Sequence, residues 1–334
     1  MKKTNVSIFI PHIGCPHRCT FCDQRSISGT AKAPSAADVS RLLEEQAGHL
    51  AERGFSAEIA FFGGSFTAVP RAYMLELLEA ARTARERFPV YSGIRCSTRP
   101  DCVSEEIVSV LREYGVTAVE LGAQSMDDEV LRLNERGHTA EDVRKASELI
   151  KHSGMELGLQ MMTGLWGDTP EKSLFTAEEF IKIHPSTVRI YPTVILRGTR
   201  LGELYESGEY RSFSFEETVD LCAELLRKFE DNGISVIRMG LHASADVERE
   251  MLSGVYHPAF REIVESRLFL RDMQTRLSRM KKGRYTVMTD NRNISKAVGQ
   301  KRTNIEELRK LGYEISVKPK NGAYIEITDY NSAR

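Results

Sequence analysis

Three cysteines fall within eight residues in the stretch GCPHRCTFCDQRSISG: Cys15, Cys19 and Cys22. Clustered thiolates bind metals. A structural zinc site closes with four ligands, usually from two short cysteine knuckles. Here no second knuckle follows, and the nearest candidates for a fourth ligand are His12 and His17. His17 sits inside the cysteine loop, where it cannot easily turn back to the same ion. An iron–sulfur cluster takes thiolates readily. Three of them on a four-iron cube leave one iron open, so the missing fourth ligand becomes the working position. Cys96, Cys102 and Cys222 are scattered and read as buried or inert thiols. Six cysteines in 334 residues are too few for a disulfide scaffold.

The cysteines must be held by the elements around them. VSIFIPHI, just before them, reads as a strand. Residues 35–53 carry a helical period behind a Ser35 cap. AEIAFFGG (57–64) is an apolar run closed by two glycines, hence a buried strand, and 71–87 is a helix. The alternation continues to STVRIYPTVIL and gives six strand–helix units over about 200 residues. Regular alternation with apolar strands predicts a parallel sheet covered by helices, α/β in class, either open or a partial barrel. Working loops then follow the C-terminal ends of the strands. The unusual polar and glycine residues fall there. They are Gly63, Gly64 and Ser65 after the second strand, Ser97 on the third, Gln124 on the fourth, Gln160 on the fifth and Tyr191 on the sixth.

Composition narrows the partners. The formal net charge is −1, so the molecule as a whole is no generic polyanion binder. Hydrophobic residues make up 41% of the chain, enough for an ordinary core. No apolar run reaches the roughly 18 residues of a membrane span. The first residues lack the features of a signal peptide. A cytoplasmic protein without a membrane partner is expected. The charge is uneven, however: from Arg267 to Lys320 fifteen Lys/Arg face five Asp/Glu.

The Cys-x3-Cys-x2-Cys spacing, with Phe21 before the last cysteine, resembles the radical S-adenosylmethionine (SAM) signature. Four further segments are similar to the radical core of the Elongator catalytic subunit: AFFGGSFTAVP, CSTRPD, ELGAQSMDDEVLRLNERGHTAEDV and RIYPTVILRGTRLGELYESGEYRSFS. With the cysteine loop they are distributed in order over residues 15–214. The resemblance implies a partial (βα)6 TIM-type radical SAM barrel holding a 4Fe-4S cluster on Cys15, Cys19 and Cys22. It implies S-adenosylmethionine on the open iron, cleaved reductively to a 5′-deoxyadenosyl radical. Phe21 would pack near the adenine, and the backbone of Gly63, Gly64 and Ser65 would take the amino group. Gln124 and Gln160 would lie at the ribose, and Arg136 would meet the methionine carboxylate. Ser97 and Tyr191 would complete the pocket, and an electron donor such as flavodoxin or ferredoxin is implied. No residue is singled out as catalytic. The chain departs from the Elongator pattern in its short cysteine spacing, which is like that of the oxygen-independent coproporphyrinogen oxidases. Ser97 also stands where Glu is usual, and an acetyltransferase domain is not expected here.

Residues 284–328 read as strand, short helix, basic turn, helix, strand, strand, similar to a KH RNA-binding unit. The turn is Gly299-Gln300-Lys301-Arg302, with Arg in place of the second glycine. Arg284, Lys296, Lys301 and Arg302 are the expected phosphate contacts. The expected domains are a radical core over 1–240, a connecting cap over 241–280 and a small basic α+β unit over 281–334. Modification of a tRNA base is the leading expectation. The alternatives are a radical enzyme acting on a small molecule such as a tetrapyrrole, and an RNA-binding redox sensor without catalysis.

Overall fold

The computed structural model describes residues 2–10, 13, 15, 17–23, 33–241 and 244–330. His12 therefore lies outside the described residues. The chain runs β1 (Lys2–Ile10), α1 (Ala36–Glu52), β2 (Phe55–Gly63), α2 (Arg71–Arg87), β3 (Tyr91–Thr98), α3 (Glu105–Glu113), β4 (Val116–Gln124), α4 (Asp128–Leu133), α5 (Ala140–His152), β5 (Glu156–Thr163), α6 (Pro170–Ile183) and β6 (Thr187–Pro192). It continues through β7 (Val194–Leu196), α7 (Arg200–Glu206), α8 (Phe215–Asp231), β8 (Ser235–Met239), α9 (Ala245–Glu250), β9 (Met251–Gly254) and α10 (Phe260–Leu277). The last elements are β10 (Gly283–Thr289), α11 (Ile294–Val298), α12 (Thr303–Lys310), β11 (Tyr313–Pro319) and β12 (Glu326–Asp329).

Seven strands form one sheet in the order β1-β2-β3-β4-β5-β6-β8. Every neighbouring pair is parallel. The six strands read from the sequence are joined by a seventh, β8. Each strand alternates an outer apolar face with an inner one. Ile59, Phe61, Ile94, Val119, Leu121, Leu159 and Ile190 are buried under the helices. Helix starts are fixed by side chains: Ser35 with Asp38, Thr139 with Asp142 and Ser214 with Glu217 all form capping boxes.

The inner face curls. Arg189 on β6 lies over the ring of Phe62 on β2, with 5.2 Å from Cζ to the ring centroid, although β3, β4 and β5 separate those strands in the sheet. The result is a half-barrel. Its floor is ionic: Arg95 on β3 bridges Glu58 on β2 (2.7 Å) and Glu120 on β4 (3.1 Å), and Arg189 reaches the same Glu120 at 2.8 Å. Glycines make room for it, since a Cβ on Gly158 would stand 2.9 Å from Glu120 Cγ.

Beyond the half-barrel, β10 pairs parallel with β11 and antiparallel with β12. These strands, α11 and α12 share a second apolar cluster with the C-terminal part of α10, including Met273, Val287 and Leu308. Asn304 locks the join: its amide Nδ2 donates to the Ser266 carbonyl at 3.0 Å and lies 3.0 Å from the Lys296 carbonyl. Among the described residues no helix is long and apolar enough to cross a membrane.

Candidate active site at the cysteine loop

The cysteine loop lies over the C-terminal ends of β1 and β2. Gly64 N–H donates to the Ile10 carbonyl at 2.9 Å. Gly63 has φ +113°, and a Cβ there would meet the same carbonyl at 2.5 Å. Only glycine fits so close an approach. A Cβ on Gly64 would stand 3.5 Å from the Cys15 sulfur, so the glycine pair also floors the loop.

The loop is pinned from the side. Thr20 donates its hydroxyl to Asn134 Oδ1 (2.9 Å) and its N–H to the Asn134 carbonyl (3.3 Å), while Leu201 N–H donates to the Thr20 carbonyl at 2.8 Å. Phe21, half-buried, packs with the cluster of Ile195, Leu201, Leu204 and Tyr210. His17 lies against Gly137, where an added Cβ would fall 2.2 Å from its ring carbon Cδ2.

Arg136 is buried beside the loop. Its Nη1 donates to the Cys19 sulfur at 3.0 Å and its Nη2 to the Gly122 carbonyl at 2.6 Å. Among the described residues its Nε has no hydrogen-bond partner. Arg99 holds Arg136 from behind. It donates to the Arg136 carbonyl and clasps Asp101 through two bonds, at 2.9 and 3.0 Å. Ser65 joins Thr98 (2.7 Å) and Thr67 joins Thr98 (2.6 Å), tying the loop after β2 to the end of β3.

Gln124 ends β4 in the left-handed region at φ +68°, which is costly for a side chain with a Cβ. It accepts from Gln160 at 3.2 Å. Ser97 is half-buried at the end of β3, and Tyr191 lies beside Arg189 on β6. The resulting face joins Gly63–Ser65, Gln124, Arg136 and Gln160 to the cysteine loop.

The donor set fits an iron–sulfur cluster. Burial, then Cys19, then Cys15 push the Cys22 thiol up to about 12, and the Arg136 charge pulls it back only in part. A Cys22 thiol held this way needs a bound cationic centre to become a thiolate. Among the described residues no three His, Cys, Asp or Glu side chains group tightly enough for a single metal ion.

Several residues of this site carry weaker signals in sequence. Arg99 and Asp101 lie inside CSTRPD and Asn134 inside LNERGH, both quoted for their resemblance, yet their work is to position a neighbour rather than to bind. His138 is buried with Nε2 on the Ala123 carbonyl at 3.1 Å, and burial, with Arg136 and Arg99, lowers it to about 4.

The fold and this loop define a class. Residues 9–179 match the radical SAM superfamily model, and 180–269 match a radical SAM C-terminal domain. The chain belongs to the radical SAM superfamily, is an enzyme of that class, and uses its 4Fe-4S cluster and S-adenosylmethionine. Within it, the chain resembles the Elongator group. It is 30% identical over 243 residues to the uncharacterized protein MJ0486 of Methanocaldococcus jannaschii, covering 67% of this chain and 73% of that protein. It is 37% identical over 132 residues to the tRNA uridine(34) acetyltransferase of Methanocaldococcus infernus, covering 38% of this chain and 24% of the relative. Mouse Elongator complex protein 3 is 32% identical over 201 residues, covering 54% of this chain and 36% of the relative. The chain thus spans about a quarter to a third of these last two. The solved archaeal Methanocaldococcus infernus Elp3, with N-terminal residues 1–46 deleted, superposes at a TM-score of 0.62 with 22% identity, over 82% of this chain and 63% of that one.

Proposed function

We propose that this radical SAM enzyme acts on RNA, and that its substrate is a base of tRNA. When bound, the cluster and S-adenosylmethionine together supply a one-electron cleavage that yields a hydrogen-abstracting carbon radical. The chain's own residues do the rest. Cys15, Cys19 and Cys22 hold the cluster, and Arg136 places a positive charge on the Cys19 sulfur while leaving Nε for an anionic group. Gln124 and Gln160 present amides to sugar hydroxyls, and the backbone at Gly63–Ser65 offers acceptors to an amino group. Phe21 and the apolar cluster behind it shield the loop from water.

The observation that carries the RNA reading is the turn between α11 and α12. Lys301 and Arg302 are exposed, both in the left-handed region (φ 52° and 66°), and neither makes an ion pair among the described residues. Two other candidates are engaged. Lys296 is tied to Glu265 at 2.8 Å, and Arg284 is paired with Glu314. Much of the basic excess is similarly spent within the protein: Arg267 reaches Glu216 and Asp220, Arg271 reaches Asp220 and Lys310 reaches Glu307. Lys301 and Arg302, at the turn, are left free to meet phosphates. Relatives named as tRNA uridine(34) acetyltransferases support the same reading.

The test is tRNA binding by the full chain across a salt series. Each lost phosphate contact reduces the slope of log Kd against log salt by about one. Lys301→Ala/Arg302→Ala is expected to weaken binding and lower the slope. Binding that is absent, or insensitive to salt, removes the RNA substrate. Mass spectrometry of tRNA nucleosides with and without the gene then identifies the modified base.

A further inference from the structure

The inner face of the half-barrel carries a polar row that does not stop at Gln160. In register, Gln160 on β5 neighbours Arg189 on β6, and Arg189 neighbours Arg238 on β8. The last neighbour depends on an irregularity. Val188 pairs with Val236, but the register then shifts, so that Arg189 meets Arg238 rather than Ile237. Ile237 is turned outward and 41% exposed. A one-residue shift of this kind re-aims a side chain, and bulges collect beside active sites for that reason.

The two arginines are not equivalent. Arg189 is neutralised by buried Glu120. Arg238 is half-buried, its Nε donates to the Gly240 carbonyl at 2.8 Å, and among the described residues it meets no carboxylate. Burial and the neighbouring Arg189 lower its pKa, opposed by the Tyr191 phenol. A half-buried guanidinium with no carboxylate partner is costly unless an anion joins it. β8 is the edge strand of the sheet, at the end opposite β1. A group bound there would lie on the inner face beside Arg189 and Tyr191, two strands beyond Gln160.

We infer that Arg238, beside Tyr191, binds an oxyanion of the substrate, and specifically a phosphate of the nucleotide whose base is modified. The planar guanidinium, with neither terminal nitrogen hydrogen-bonded among the described residues, is suited to two-point recognition of phosphate oxygens. The identity of the anion as phosphate rests on the RNA reading. The anion site itself rests only on the β8 geometry.

The experiment measures binding of uridine 5′-monophosphate, uridine and succinate to the anaerobically reconstituted full chain, wild type against Arg238→Gln and Arg238→Lys. The monophosphate is expected to bind about tenfold or more tighter than uridine, a preference lost in Arg238→Gln and partly kept in Arg238→Lys. Equal binding of monophosphate and uridine, or a preference that survives Arg238→Gln, overturns the inference. Arg238-dependent binding of succinate alone overturns the phosphate assignment. Thermal unfolding separates a structural role: with no ion pair to lose, Arg238→Gln is expected to keep or raise Tm. A Tm several degrees lower, with the nucleotide preference unchanged, makes Arg238 structural and overturns it. The outcome is distinguishable from failure of the RNA reading, which shows as wild-type protein that does not bind tRNA while the Arg238-dependent preference persists.

Discussion

Arg136 donates to the Cys19 sulfur across 3.0 Å while its other terminal nitrogen holds the Gly122 carbonyl on β4. One side chain thereby links a proposed cluster ligand to the strand whose end carries Gln124. The link is rigid because Arg99, clamped by Asp101, fixes the Arg136 backbone.

Arg136→Met keeps an unbranched stem and removes the guanidinium and its charge. Outer partners of metal ligands typically matter by about 10- to 100-fold in metal affinity or activity. Iron content per chain and the rate of 5′-deoxyadenosine release are expected to fall within that range. Asp101→Asn, which loosens the Arg99 clamp, is expected to give a smaller loss in rate with iron retained.

A matched pair of glycines isolates the loop contact. Gly54 and Gly137 both adopt left-handed backbone, at φ +64° and +69°. A Cβ on Gly54 meets nothing within 4 Å, whereas on Gly137 it meets the His17 ring. Alanine at either site costs about 1–2 kcal/mol for handedness. Only Gly137→Ala is expected to displace the cysteine loop as well. Urea melts of both variants, with iron assays, check this: Gly54→Ala should hold full iron and Gly137→Ala should not.

The half-barrel floor gives a stability prediction. Arg95 is the shared partner of Glu58 and buried Glu120. Breaking a buried pair by removing one member costs about 3–5 kcal/mol. Arg95→Met is expected to lower stability by roughly that amount, measured by urea unfolding.

Asp168 gives the pH dependence. Burial raises its carboxyl from 3.8 to about 6, opposed by hydrogen bonds from Ser173 and the Gly164 N–H. The folded state therefore holds the proton more tightly than the unfolded one. That contribution is fully present below pH 3.8 and is lost as pH rises through about 6. Stability of Asp168→Asn relative to wild type is expected to rise across this window, by up to about 3 kcal/mol. Parallel urea melts at pH 4, 5, 6 and 7 measure it, and a difference that stays flat contradicts it.

Much of the half-barrel was legible because its signals are local. The α2 pattern over 71–87 and the glycines after β2 are written in neighbouring residues, and the structure has them at those positions. The type and spacing of the three cysteines carried the resemblance to the radical SAM superfamily, which the family match shows. What sequence left obscure is non-local. Arg136 reads, by resemblance, as a partner for a carboxylate; its bond to the Cys19 sulfur shows only once the fold carries Cys19 beside it. Lys296 reads as a free phosphate contact until α10 brings Glu265 to it. The antiparallel pair of β7 and β9 was not anticipated, because each is only three or four residues and is specified by the partner rather than by its own pattern. Arg238 was invisible for the same reason, since a register shift in a different strand pair decides what it faces.

The central claim is that three thiolates hold a cluster that cleaves S-adenosylmethionine. Anaerobically reconstituted protein, reduced with dithionite in the presence of S-adenosylmethionine, tests it directly by chromatographic assay of 5′-deoxyadenosine. Release by the wild type and none from Cys15→Ala, Cys19→Ala or Cys22→Ala is the predicted result. A wild type that carries a full cluster yet releases no 5′-deoxyadenosine, or a Cys19→Ala variant that releases as much as the wild type, would contradict it.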